Sequence, residues 1–195
     1  MKSVKDLPGY PFEDPCDGDF NCNSKQLTSL EGCPKVVKGD FYCFNNKLQS
    51  LQYCPQIVKG HFYCYYNILQ SLQYCPQIVN GYLSCSFNNL QSLQYCPQIV
   101  KGNFHCSNNS LQSLQNIHKY CKQLDRELWA FNNPIKSHVL GVMLIENIKR
   151  IVLSTNRSKL QTIEKIINTH LKTDRDVFIC QDNLIKAGFA EYAQL

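Results

Sequence analysis

A single segment, LQSLQYCPQIV, occurs three times, starting at Leu48, Leu69 and Leu90, and this constrains the chain more than any other feature. Around it the period is 21 residues: GDFYCFNNKLQSLQYCPQIVK, GHFYCYYNILQSLQYCPQIVN and GYLSCSFNNLQSLQYCPQIVK follow one another without a gap over residues 39–101. A more diverged copy precedes them (GDFNCNSKQLTSLEGCPKVVK) and a partial one follows (GNFHCSNNSLQSLQ), which makes five units. A unit this short cannot bury its own apolar face. Each must therefore bury it against its neighbours, so the expected architecture is a solenoid.

Aligned by column, the copies separate what must be inside from what is free to vary. Phe20, Phe41, Phe62, Leu83 and Phe104 form one apolar column, and Cys22, Cys43, Cys64, Cys85 and Cys106 form another two residues later. That alternation predicts a strand whose intervening residues face solvent. Two leucine columns follow, starting at Leu27 and Leu30, where the chain turns inward again. Phe62, Cys64, Asn67 and Leu69 resemble the L-x-L-x-x-N-x-L signature of the leucine-rich repeat, with Phe and Cys in place of two leucines. The resemblance implies a parallel sheet with one strand per turn.

The asparagine column is Asn46, Asn67, Asn88 and Asn109; an amide there can pair backbone groups left open where the chain bends out of the strand. The first unit has Lys25 instead, which predicts a frayed or solvated turn. Gly18, Gly39, Gly60, Gly81 and Gly102 open the strands, where φ is positive or backbones crowd. Pro34, Pro55, Pro76 and Pro97 on the return arm argue against a long helix there.

The organisation expected from these patterns is an N-terminal arm (1–17), a five-turn leucine-rich-repeat solenoid (18–116) and a mostly helical capping region (117–195), an α+β repeat protein overall. Residues 1–15 are polar and contain three prolines, unlike a signal peptide or a membrane anchor. Most of the 12 cysteines fall in two core columns, the strand column and Cys33, Cys54, Cys75 and Cys96, so they read as buried, reduced thiols. No C-x-x-C pair suggests zinc, and neither a metal nor a cofactor is expected. Between residues 48 and 116 only Lys59 and Lys101 are charged, while residues 117–195 hold 12 Lys and Arg against 8 Asp and Glu. The excess is scattered, giving nucleic-acid binding little support.

After Gln115 the period fails. Ile117, Cys121, Leu124 and Leu128 fall at helical spacing, predicting a helix that ends near Trp129. Residues 142–145 and 151–153 read as short buried strands, together a degenerate last turn of the sheet, with helix as the alternative for the first. Residues 159–171 and 176–187 read as amphipathic helices, the second stopped by Gly188. RDVFICQDNLIKAGFAEYAQL at the end, with HVLGVMLIENIKRI and IINTHL before it, is similar to the C-terminal region of small leucine-rich-repeat proteins carried by tailed phages and related viruses. That resemblance implies a viral protein in the host cytoplasm, or in the virion.

Catalytic constellations are hard to build from this chain. His105 and Cys106 are neighbours on a strand and point to opposite faces. Cys180 and Asp182 resemble the C-x-D motif of bacterial ubiquitin ligases that follow leucine-rich repeats, yet the tail is several times shorter than those domains and Cys180 lies on an apolar stripe with Val177 and Leu184. His118, His138 and His170 match no metal or hydrolytic motif.

A non-catalytic role is therefore expected, carried by the surface. The strand-side positions that vary among the copies are rich in aromatic residues: Tyr42, Phe44, His61, Tyr63, Tyr65, Tyr66, Tyr82 and Phe87. These are the candidate contact residues for a host or viral protein partner. A virion component that self-associates through the same patch is the alternative, and a ligase using Cys180 is a third reading. Tyr53, Tyr74 and Tyr95 on the return arm form a rival column, or pack edge to face and stiffen the stack.

Overall fold

The computed structural model describes residues 2–156 and 158–195. Its core is a parallel β-solenoid with two sheets. The first contains seven strands: β1 (Phe20–Asn21), β3 (Phe41–Tyr42), β5 (Phe62–Tyr63), β7 (Leu83–Ser84), β9 (Phe104–His105), β11 (Glu127–Trp129) and β12 (Arg150–Val152). The second, on the return arm, contains five: β2 (Val36–Val37), β4 (Ile57–Val58), β6 (Ile78–Val79), β8 (Ile99–Val100) and β10 (Gln123–Leu124). Register follows the repeat, with Phe41 opposite Phe62 and Val79 opposite Val100.

Between the sheets lie the columns that the repeat marks as apolar. The phenylalanine, cysteine and leucine columns are buried, and the rings of Phe41 and Phe62 lie 5.4 Å apart down the axis. All 12 cysteines are free thiols, ten of them buried. Burial pushes the Cys64 thiol up to about 12, so it packs as a small neutral hydrophobe. The second sheet was not foreseen. Its signal is the β-branched pair after each proline, of which Val58, Val79 and Val100 enter the core.

Crowding, not positive φ, explains the glycine column from Gly39 to Gly102, while at Gly18 an added Cβ would meet nothing within 4 Å. A Cβ on Gly60 would stand 2.8 Å from the carbonyl carbon of Gly39 one turn back and run into the Asp40 carboxylate.

Two expectations about residues 117–145 are overturned. Helix α1 is a single turn (Ile117–Tyr120), and the chain then enters β10 and β11. The apolar residues at helical spacing belong instead to a sixth turn, in which Leu124 pairs with Val100 and Leu128 with Phe104. The sixth strand begins its core column 24 residues after the fifth, not 21, which hides it from a fixed period. Residues Leu140–Leu144 form a 3₁₀ helix, closer to the helical alternative than to a strand; all but Leu144 are buried, packed against α1 and the C-terminal helices. Ile151 does join the sheet, as expected, in the seventh strand.

Helices α2 (Lys159–Lys172) and α3 (Val177–Lys186) close the end. The Asp176 side chain accepts the amides of Phe178 and Ile179, which starts α3, and Gly188 at φ +84° follows its last turn. Along α2, the Asn168 side chain takes both backbone groups of Ile151 at 2.8 Å, and Glu164 accepts the amides of Leu153 and Ser154. The open edge of β12 is thereby paired without another strand. Arg175 donates to the carbonyls of Ile145 and Ile148, tying the helices to the preceding turn. At the other end Val4 is buried and Phe12 packs edge-on against Phe20 at 5.0 Å, so the N-terminal arm covers the first turn. No helix among the described residues is long and apolar enough to cross a membrane.

Candidate functional site

Each turn of the first sheet presents side chains outward at fixed places, and one turn stands above the next at about 4.8 Å. Flat rings at that pitch stack. Tyr42 lies parallel to Tyr63 (5.3 Å between ring centres), Phe44 to Tyr65 (4.5 Å), Tyr66 to Phe87 (4.3 Å) and His61 to Tyr82 (4.7 Å). The eight aromatic residues proposed from the repeat thus form four stacked pairs on one face. Tyr42, Phe44, His61, Tyr63 and Tyr65 are half-buried by their neighbours, whereas Tyr66 (50 %), Tyr82 (40 %) and Phe87 (41 %) stay exposed.

Polar contacts fix the border of this face. Asp19 accepts the amide of Asp40, Asp40 accepts that of His61, and His61 Nδ1 accepts that of Tyr82 at 2.7 Å. Part of the hydrogen-bonding capacity of His61 is thus spent on the stack. The Tyr42 hydroxyl donates to Asp40 at 2.8 Å, which pushes the phenol up to about 12.

Tyr66 and Phe87 carry a cost that the repeat did not reveal. They stand at φ +50° and +54°, in the left-handed region, where the equivalent places of other turns hold Ser24, Asn45, Asn108 and Asn132. Bulky residues there cost about 1–3 kcal/mol each and persist where the surroundings hold them.

The face also extends further than the sequence indicated. Trp129 of the sixth turn stacks on His105 at 4.7 Å, and Phe131 adjoins it at 6.2 Å. The signal was present as LWAFNNPI, in which Leu128, Ala130, Asn133 and Ile135 repeat the motif. Asn133 completes the inner ladder, accepting from the Leu111 amide and donating to the carbonyls of Cys106 and Ala130. Between the two aromatic groups Ser84, Ser86 and Ser107 form the floor of a depression of about 280 Å³. Tyr65, Tyr66 and Phe87 wall one side, and His105, Trp129 and Phe131 the other. No charged residue lines it. Burial lowers the His105 pKa, with Glu127 opposing, so the ring in that wall is neutral at pH 7.

The rival column behaves differently from the packing considered for it. Tyr53, Tyr74 and Tyr95 are half-exposed at φ +67°, +72° and +66°, and none makes a ring–ring contact among the described residues. Their places in the first and fifth turns hold Gly32 and Asn116, residues that accept this backbone readily.

The remaining candidates for chemistry are scattered. Cys180 is buried in α3 with its thiol pushed up to about 11 by desolvation, while Asp182 pairs with Lys186 at the surface. His118 is lowered by burial, and His170 bridges Asp174 and Asn183. No group of three or more His, Cys, Asp or Glu side chains among the described residues is placed to hold a metal ion. The largest depression, about 680 Å³ over α2, has Glu164 and Asn168 in its lining, both already engaged by β12.

Comparisons of the chain with protein-family models, with curated proteins and with solved structures return no match. Function therefore has to be argued from this geometry.

Proposed function

We propose that the protein is a non-catalytic interaction module that binds a protein partner through the aromatic face of its first sheet. The observation that carries this reading is the exposed stacked pair Tyr66 and Phe87 within a face of four ring pairs; both stand in left-handed backbone, as the unstacked Tyr53, Tyr74 and Tyr95 of the return arm also do. Strain of this kind, retained on a rigid surface, collects at binding sites. Around that pair the face is broad, aromatic and without charge at its centre, with Asp40, Asn45 and Asn108 at its border, which is the composition of a protein interface. A viral origin, which the resemblance of the C-terminal region implies, supports a host or viral protein inside an infected cell as the partner. The return-arm tyrosines form a single file, and none of them stacks on another ring among the described residues.

Alanine at Tyr63, Tyr65 and Tyr66 is expected to abolish capture of the partner from infected cells. Alanine at Tyr53, Tyr74 and Tyr95 is expected to leave it intact. The opposite result assigns binding to the return arm and overturns the choice of face. Mass photometry of the purified protein tests self-association: a monomer at micromolar concentration is expected, and dimers that the first set of substitutions dissolves would replace a foreign partner with a second copy.

A further inference from the structure

The aromatic face is interrupted at one place, and the interruption has the dimensions of a binding site. Outward rings follow one another turn by turn from Tyr42 to Tyr63, stop at Ser84, and resume at His105 and Trp129. Tyr63 and His105 are two turns apart, about 9.6 Å at the pitch of the sheet. A ring placed midway would stand about 4.8 Å from each, within the range in which aromatic rings stack. In the next outward column two serines, Ser86 and Ser107, leave a wider opening between Tyr65 and Phe131, three turns apart, and the depression runs over Ser84, Ser86 and Ser107. The hydroxyls of Ser84 and Ser86 make no hydrogen bond to protein among the described residues, whereas that of Ser107 donates to the Trp129 carbonyl at 3.1 Å.

Resting on the interaction-module reading, we propose that this depression is the anchor site of the face and that it receives one aromatic side chain of the partner polypeptide, tyrosine or tryptophan. Ring spacing selects a flat π-system over an aliphatic chain. The two unpaired hydroxyls suit a ring with a polar tip, since a buried phenol or indole needs a hydrogen-bond partner. Charge selects a protein over a nucleic acid. A nucleobase has the same shape, but its phosphates require cations, and the lining has none. Behind the wall, the Glu127 carboxylate accepts from Trp129 Nε1 at 2.7 Å and lies 4.0 Å from the Arg150 guanidinium, so the two charges there offset each other. An inserted anchor from a partner, surrounded by rings that exclude water, is how a few residues come to dominate an interface.

Trp129 is the sole tryptophan of the chain and stands in the wall, so its fluorescence reports occupancy directly. N-acetyl-tyrosinamide, titrated to its solubility limit with excitation selective for tryptophan, is expected to give a saturable change in Trp129 emission. N-acetyl-leucinamide, AMP and maltose at equal concentration are expected to give none. Ser84→Tyr puts a ring of the protein's own in the opening: its Tm should equal or exceed that of the unsubstituted protein while tyrosinamide binding weakens at least tenfold. Ser86→Phe serves in the same way if the first variant does not fold. Absence of a saturable change, an equal response to leucinamide, AMP or maltose, or a folded Ser84→Tyr protein that still binds would each overturn the proposal. Partner capture separates this from failure of the broader reading. If the Tyr63, Tyr65 and Tyr66 substitutions abolish capture and Ser84→Tyr does not, the face is right and the anchor wrong; if neither abolishes it, both fall.

Discussion

Each asparagine of the inner ladder works one turn back. Asn67 accepts from the Leu48 amide and donates to the carbonyls of Cys43 and Cys64, so a single amide joins the turn it belongs to with the one before it. Asn46 does the same for the first turn, accepting the amides of Lys25 and Leu27 at 3.0 and 2.9 Å. The turn at Lys25 is therefore paired, not frayed: its backbone is served from the second turn, and the described residues before it form the arm, with no repeat strand for an asparagine at position 25 to serve. Asn67→Ala should lower stability by about 1–3 kcal/mol, because it strands buried backbone groups in two turns at once. Lys25→Asn should gain nothing. Chemical denaturation of the two variants checks both, and an unchanged midpoint for Asn67→Ala would contradict the assignment. At this scale the sequence revealed which residues form the ladder but not the direction in which they act, since a period fixes position within a turn and says nothing of which neighbour an amide reaches. It also concealed Asn133, which lies 24 residues after Asn109 and so falls out of a 21-residue alignment although its local motif is intact.

A parallel stack has two open ends, and here helix and arm close them by different means. The N-terminal arm covers the first turn with apolar contacts and pairs the edge of the second sheet, Cys16 bridging Val37 and Asp14 accepting the amides of Lys35 and Val36. By contrast, α2 pairs the last strand of the first sheet through side chains alone, with Asn168 imitating the two backbone groups that another strand would supply. Asn168→Leu keeps the bulk and removes both bonds. It should cost about 1–3 kcal/mol and expose an edge that recruits another copy. The measurements are a thermal melt and mass photometry, with a lower Tm and new dimers expected together; a monomer with unchanged Tm would show that α2 covers the edge by packing alone. Both C-terminal helices were legible because their apolar residues recur at helical spacing over ten or more residues and Asp176 marks a start. Residues 117–128 misled for the same reason in reverse: Ile117, Cys121, Leu124 and Leu128 match helical spacing by coincidence, while each is buried by a different part of the sixth turn. Residues 140–144 carried no usable period, because all but Leu144 are buried. Of the candidate site, the rings were legible because the repeats differ there. The opening between them was not, since a serine column becomes a depression only when the flanking turns are known to stack.

Across the whole molecule the raised thiols and phenols run through the central turns, whereas the His and Asp groups with lowered pKa values lie outside the second to fourth turns, and these determine how acid should unfold it. The central turns, residues 48–116, contain only Lys59 and Lys101 as permanent charges. His105 in the fifth turn and His118 in α1 both have pKa values lowered from 6.5, chiefly by burial, and each has a buried ring nitrogen without a partner. For a histidine lowered in the folded state, the unfolded chain binds the proton first. Stability is therefore complete above pH 6.5, and falls as the pH drops from there towards the lower folded values. The carboxyls of Asp6, Asp17, Asp125 and Asp174 are lowered from 3.8 by hydrogen bonds, and their contribution is present above that value and is lost as the pH falls through the folded ones. Acid should thus act in two stages, the histidines first. In a solenoid, where stability is a sum over neighbouring turns, the first stage should loosen the end that holds His105 and His118 and spare the second and third turns. Hydrogen exchange at pH 7 and pH 5 checks this, with protection expected to fall from the fifth turn onward while Phe41 and Phe62 keep theirs. Replacing both histidines with glutamine should flatten the melting temperature between those two pH values; a double variant that keeps the full pH dependence would move its origin away from these rings.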